Sequence, residues 1–357
     1  MIRFRYAAAL TGLVLSFHVS AALAQDAKPT VVRFGYLIGI PFPTLFVAEE
    51  QGFLKAENIQ LDKVTMAGSG PITEALVAGN LDIGNTTPML SILATAKGGK
   101  TVMIGANEQS FTDKAGKSYE AGIVAVRQGE NIKTLSDLKG KRIAVNDLGS
   151  YHNYLVRAYF IDHQINPDKD VTIVPIPFGQ MGPALVQKEV DAIMGSADDF
   201  EQVKKRIPVD AIDTATHLEQ VDVSLAGALG VNTDYLHAHR DVVVRFLRAF
   251  LKARQWLDEK VATNDPAAPE LIAKVMKYTP ERSQMFWTTR GSSYGKELDF
   301  VNQLDVQKRL VVRDTQILKT VGLLKPEVDL PYEKVVDIAP LREATTSLGI
   351  AWDEAKH

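Results

Sequence analysis

From Val31 onward, short runs of β-branched and aromatic residues alternate with stretches in which apolar residues return every three or four positions. The first pattern fits a strand and the second a helix with one buried face. Strands are predicted at 31–36, 59–66, 81–84 and 101–106, with helices at 44–53, 71–78 and 88–97 between them. A second series follows Gly122, with strands at 123–126, 142–145, 171–176 and 190–194 and helices at 151–163, 181–188 and 200–206. Apolar runs lie near Val209 and over 223–231, and after Thr233 the strand pattern stops. The stretch 241–257 puts Val243, Phe246, Leu247, Phe250 and Leu257 on one helical face, and further helices are predicted at 266–278 and 296–310. This alternation predicts an α/β protein with largely parallel sheets.

An internal echo divides the pattern in two. Ala75-Leu76-Val77 is followed by Leu81-Asp82-Ile83, and Ala184-Leu185-Val186 by Val190-Asp191-Ala192, at the same Ala-to-Asp spacing. Each reads as a helix end, a tight turn and a buried strand opening on Asp. Its recurrence at an equivalent point of each series predicts two lobes of similar design.

Composition narrows the function classes. The chain has 357 residues, 46% of them hydrophobic and 23% charged, which is a globular composition with enough apolar side chain for sizeable cores. A net charge of −3 gives no basic footprint for nucleic acid or an anionic membrane surface. There is no cysteine, which rules out disulfides, thiolate nucleophiles, iron–sulfur ligation and a lipid anchor on an N-terminal Cys. Residues 1–24 read as a secretory signal peptide, with Arg3 and Arg5 before an apolar stretch and Ala22-Leu23-Ala24 as the cleavage site. The apolar stretch is too short for a membrane anchor and is interrupted by Ser16 and His18. An exported, soluble protein is therefore expected.

Several loops after predicted strands place Gly, Ser, Thr or Pro at a helix start: Gly68-Ser69-Gly70-Pro71, Thr86-Thr87-Pro88 and Gly149-Ser150-Tyr151. Helix starts expose unpaired N–H groups at the positive end of the dipole, so they suit an anionic or carbonyl group; ordinary N-capping needs the same residues and no ligand. The loop from Leu37 to Thr44, which includes Gly39, is apolar where a solvated loop would be polar. Tyr36, Phe42, Tyr151 and Phe178 are candidate walls for an organic group, or else core residues.

The segments Phe46-Val47-Ala48-Glu49-Glu50-Gln51-Gly52-Phe53-Leu54, Ala75 to Gly84, and Leu135 to Val145 followed by Gly149-Ser150-Tyr151-His152 resemble periplasmic substrate-binding proteins of ABC importers. The branch they resemble serves aliphatic sulfonates, taurine, nitrate and the pyrimidine precursor of thiamine. The resemblance implies a two-lobed periplasmic-binding-protein fold of type II, with two mixed sheets flanked by helices and joined by crossing strands near 122–127 and 223–231. One lobe would comprise residues 30–122 and 228–357 and the other 123–227. It also implies a ligand cleft formed by Tyr36, Gly39, Phe42, Ser69, Gly70, Thr86, Thr87, Gly149, Ser150, Tyr151 and His152. The loop Gly195-Ser196-Ala197-Asp198-Asp199 would face the cleft as well, and Asp198 is either a ligand contact or the N-cap of a helix starting at Phe200. The implied partners are a small-molecule ligand and an ABC permease with its ATPase. The protein would be a periplasmic monomer needing no cofactor, metal or nucleic acid.

The expected ligand is an organic sulfonate or related anion. A thiamine-type pyrimidine, a flavin, an aromatic carboxylate and nitrate are the alternatives, and Arg157 and Arg290 are possible counter-charges. Gly291-Ser292-Ser293-Tyr294-Gly295 fits the hydrolase pattern G-x-S-x-G, but the only later histidine is the terminal His357, so no enzyme is expected. His237-Ala238-His239 lacks the further ligands a metal site needs. A pyrimidine-synthesising relative of the same fold fits poorly with a cysteine-free, exported chain, and a ligand sensor for a membrane receptor would look the same as a transport protein.

Overall fold

The computed structural model describes residues 28–37, 42–112, 118–119, 123–195, 197–212, 223–289 and 304–352. The signal-peptide reading, Gly39, Arg290 and the G-x-S-x-G stretch lie outside them. The chain opens with β1 (Thr30–Leu37), α1 (Pro43–Glu50), α2 (Phe53–Ala56), β2 (Ile59–Met66), α3 (Ser69–Val77), β3 (Ile83–Thr86), α4 (Pro88–Ala96), β4 (Thr101–Thr112) and β5 (Ser118–Tyr119). There follow β6 (Ile123–Arg127), β7 (Arg142–Val145), α5 (Tyr151–Asp162), β8 (Thr172–Pro175), α6 (Phe178–Val186), β9 (Ala192–Gly195), α7 (Ala197–Lys204) and β10 (Val209–Ile212). The chain returns through β11 (Val223–Asn232) to α8 (Thr233–Ala238), α9 (Arg240–Ala262), α10 (Ala267–Met276), α11 (Pro280–Thr289), α12 (Lys308–Thr320), α13 (Tyr332–Val335) and α14 (Ala339–Ser347).

Two mixed sheets result, ordered β2-β1-β3-β11-β4-β5 and β10-β6-β9-β7-β8. In the first, β1 is parallel to β2 and β3, and β11 runs antiparallel between β3 and β4. In the second, β7 is parallel to β8 and β9, and β6 lies antiparallel to β9 and β10. Each sheet therefore has a parallel trio and, beside it, an antiparallel strand reached after the chain changes sheets. The crossing regions expected near 122–127 and 223–231 resolve into β6, a member of the second sheet, and β11, a member of the first.

The echo has a structural cause. Asp82 accepts a hydrogen bond from the Arg33 backbone N–H at 2.8 Å, and Asp191 accepts one from Arg142 N–H at 2.8 Å. Both pairs are separated by 49 residues, so the same carboxylate ties the trio's central strand to the turn before its neighbour in both sheets.

The first sheet's core is closed by α9. Val243, Phe246, Leu247, Phe250 and Leu257 are all fully buried, against Phe34 of β1 and Ile83 of β3. A second apolar body joins the sheets: Met103 and Ala106 of β4 share it with Val124 and Val126 of β6, Tyr154 and Leu155 of α5, and Leu310, Val311 and Leu318 of α12.

Within that body Asp314 is buried, accepting from Tyr154 Oη at 3.2 Å and from Arg313 Nη2 at 3.0 Å. Burial pushes its carboxyl above the ordinary aspartate value, against the opposing pull of Arg313 and of the hydrogen bonds from Arg313 and Tyr154. The folded state thus holds this proton more tightly than the unfolded chain, whose carboxyl ionises at about pH 4. Asp314 therefore withdraws stability as pH rises from there through the raised folded value. Asp314→Asn should remove this contribution, flattening the dependence of Tm on pH from about 4 upward; an unchanged slope would count against it.

Candidate functional site

The helix starts read from the sequence are real, and their side chains are largely engaged by the chain itself. Pro88 stands at the first position of α4, and Thr87 caps the helix by accepting from Leu90 N–H at 3.2 Å. Ser150 caps α5 by accepting from Asn153 N–H at 3.1 Å, while Asn153 Nδ2 donates to the Leu148 carbonyl. The capping role that sequence left open is therefore filled at both positions. Thr86 is almost fully buried, its hydroxyl 2.6 Å from that of Thr73, which in turn donates to the Ser69 carbonyl. This pairing binds the first turn of α3 to the end of β3.

Three of these starts are brought together across the two sheets. Asp147, two residues past β7, accepts from Gly149 N–H through Oδ1 at 3.1 Å and from Gly70 N–H through Oδ2 at 2.9 Å. The second bond crosses from the loop before α5 to the first turn of α3. The fit leaves no room for side chains: a Cβ on Gly68 would lie 2.6 Å from Asp147 Oδ2, and one on Gly149 would lie 2.7 Å from Leu90 of α4. Ser69, Gly70, Thr87, Gly149 and Ser150 thus belong to one neighbourhood where the starts of α3, α4 and α5 meet.

The aromatic candidates divide. Tyr151 stacks on Tyr154 with ring centroids 6.1 Å apart, and His152 meets Phe178 edge-on at 5.2 Å. His152 also has its Nδ1 3.1 Å from Asn146 Oδ1, so its ring orientation is fixed from the end of β7. Tyr36 is half-buried at the end of β1 and edge-on to Phe46. Phe42 takes the core place that the sequence left open beside the wall reading: it is packed against Phe34 and Phe250 at 6.2 and 6.0 Å between ring centroids.

Two further expectations are corrected. Helix α7 starts at Ala197, so Asp198 lies in its first turn and not before a helix beginning at Phe200. Arg157 is already paired with Asp168, its Nη2 2.8 Å from each carboxylate oxygen.

Sequence reading missed Asp147, whose carboxylate accepts hydrogen bonds on both sides of the site. Its only signal was the Asp-x-Gly order before a capping Ser, which reads as a local turn. The partner Gly70 lies 77 residues away.

The profile of the family described as NMT1/THI5 like matches residues 41–261. The chain belongs to this family. One relative, the "Putative binding protein YtlA" of Bacillus subtilis (strain 168), is 25% identical over 259 residues, covering 71% of this chain and 74% of that protein. The alkanesulfonate-binding protein SsuA from Xanthomonas axonopodis pv. citri bound to MOPS superposes with a TM-score of 0.67 at 18% identity, covering 87% of this chain and 99% of that one. The periplasmic nitrate-binding protein NrtA from Synechocystis PCC 6803 superposes with a TM-score of 0.68 at 15% identity, covering 90% and 89%. The family member described here has the periplasmic-binding-protein fold, two mixed sheets flanked by helices. Among its described residues no helix is long and apolar enough to cross a membrane.

Proposed function

We propose that this protein is the extracytoplasmic solute-binding component of an ABC importer and captures a small organic anion, a sulfonate before others, between its two sheets. The observation that carries the reading is the meeting of α3, α4 and α5 starts from both sheets, fastened by the Asp147–Gly70 bond. Ligand groups there would find N–H donors and dipoles aimed from two sides, which favour a state in which both are engaged. The lobes would be 30–122 with 228–357, and 123–227, moving about the two crossings. Family membership and the sulfonate- and nitrate-binding relatives support this reading, as does a near-neutral chain that must hold charge by aimed donors and not by a basic surface. A soluble periplasmic monomer that hands its ligand to a permease and ATPase completes the proposal.

The His152–Phe178 and Tyr151–Tyr154 ring pairs favour a second reading, a flat heteroaromatic ligand of the pyrimidine type. A thermal-shift screen separates the two. An alkanesulfonate at a hundred times its Kd should stabilise the protein by about 2.7 kcal/mol, seen as a rise in Tm. A screen in which only neutral heteroaromatics raise Tm would replace the first reading with the second.

A further inference from the structure

The bond that gathers the site also restricts it. A carboxylate at a helix start is held by the same N–H groups and dipole that would hold a sulfonate or a carboxylate of a ligand. At α3 that place is taken by the chain's own Asp147, with Oδ2 on Gly70 N–H and Oδ1 on Gly149 N–H. The seat is shaped for this group. Gly68 is in extended backbone, which any residue can adopt, yet a Cβ there would lie 2.6 Å from Oδ2, 2.8 Å from Cγ and 2.9 Å from Cβ of Asp147. A Cβ on Gly70 would lie 3.1 Å from the same oxygen. The space beside the two glycines is filled by Asp147.

We propose that Asp147 is an interlobe latch that sets which charge the site admits: its carboxylate and an anionic group of the ligand compete for the start of α3. The competition rests on the organic-anion reading above; the latch does not. While Asp147 is seated, an anion beside it meets a like charge in a partly water-excluded place, and it enters only by displacing the latch. A latched form is then a competitor of the ligand-bound form, so weakening the latch both frees the sheets from one another and tightens anion binding.

Asp147→Asn separates the two bonds. The amide oxygen can still accept from Gly149 N–H and keep the turn, while the amide nitrogen facing Gly70 N–H cannot accept and carries no charge. Gly68→Ala reaches the same seat by size alone and leaves every charge in place. Spin labels on the α3 and α6 surfaces, one on each sheet's layer, should report longer and broader distances in both variants than in the wild type when no ligand is added. Ethanesulfonate, titrated by calorimetry, should bind Asp147→Asn about tenfold more tightly than wild type. Unchanged distances in both variants overturn the latch. Ethanesulfonate and longer alkanesulfonates that bind wild type and Asp147→Asn equally, or the variant more weakly, overturn the competition and leave the solute-binding reading intact. Sulfonates that bind neither protein, alongside lengthened distances, overturn the organic-anion reading and the competition with it, and leave the latch standing.

Discussion

Phe250→Ala should destabilise the protein by about 4 kcal/mol, the largest loss expected from a single side chain here. Phe250 is fully buried near the middle of α9, and its ring centroid lies 4.5 Å from Phe246, 6.0 Å from Phe42 and 6.4 Å from Phe34. Truncation removes the transfer energy of a benzyl group and leaves a cavity between three rings, each held by its own element and unable to close the gap. Phe42 stands at the N-cap position of α1, so the loss would also loosen the start of that helix. Urea unfolding measures the effect, with Phe250→Leu as the control. Leucine fills most of the volume and should cost about 1 kcal/mol. A midpoint for Phe250→Ala close to that of the leucine variant would show that the ring cluster relaxes around the gap.

The prominence of that residue was legible in the sequence, because a stripe at 243, 246, 247, 250 and 257 has the period of one helical face, with Arg254 as a polar member of the same buried face. The bounds of β2 and β7 were also legible, since β-branched residues there stop at Gly or Asn. The helices after Met276 were not. Sequence reading put a helix at 296–310, much of which lies outside the described residues, and overlooked α11, α12 and α14. In α12 the buried face runs Leu310, Val311, Asp314 and Leu318, and an aspartate in the middle of an apolar stripe hides the period. That side chain is buried because Tyr154 and Arg313 meet it there, a fact of tertiary structure that no local pattern carries.

The site divides along the same line. Thr87 and Ser150 were legible because a capping residue is a local device, read from its own helix. What they do together depends on Asp147 reaching α3, and on Leu90 filling the space that Gly149 leaves open. Both are contacts between segments from different sheets. Residue type and spacing predict where a helix begins, but not which carboxylate will be set upon it.

Asp82→Ala should cost about 3 kcal/mol, and the matching change Asp191→Ala only about 1 kcal/mol, although the two residues echo one another in sequence and in backbone bond. Asp82 has 4% of its side chain exposed and accepts from Arg33 three times: from its backbone N–H at 2.8 Å, from Nε at 3.1 Å and from Nη2. Its removal strips a strand N–H of its partner and takes from the guanidinium both of its hydrogen bonds to Asp82. Asp191 has 21% exposed and keeps only the backbone bond at hydrogen-bonding distance; Arg142 Nε and Arg127 Nη2 stand 3.8 Å away. Water can take over more of what Asp191 does, and Arg127 stays held by Glu130 and by the Leu185 and Val190 carbonyls. Asp82→Asn, which retains one acceptor for the strand N–H, should recover part of the loss. Chemical denaturation of the three variants tests the argument, and equal losses at positions 82 and 191 would show that the shared backbone bond, and not burial of the carboxylate, carries the stability of both turns.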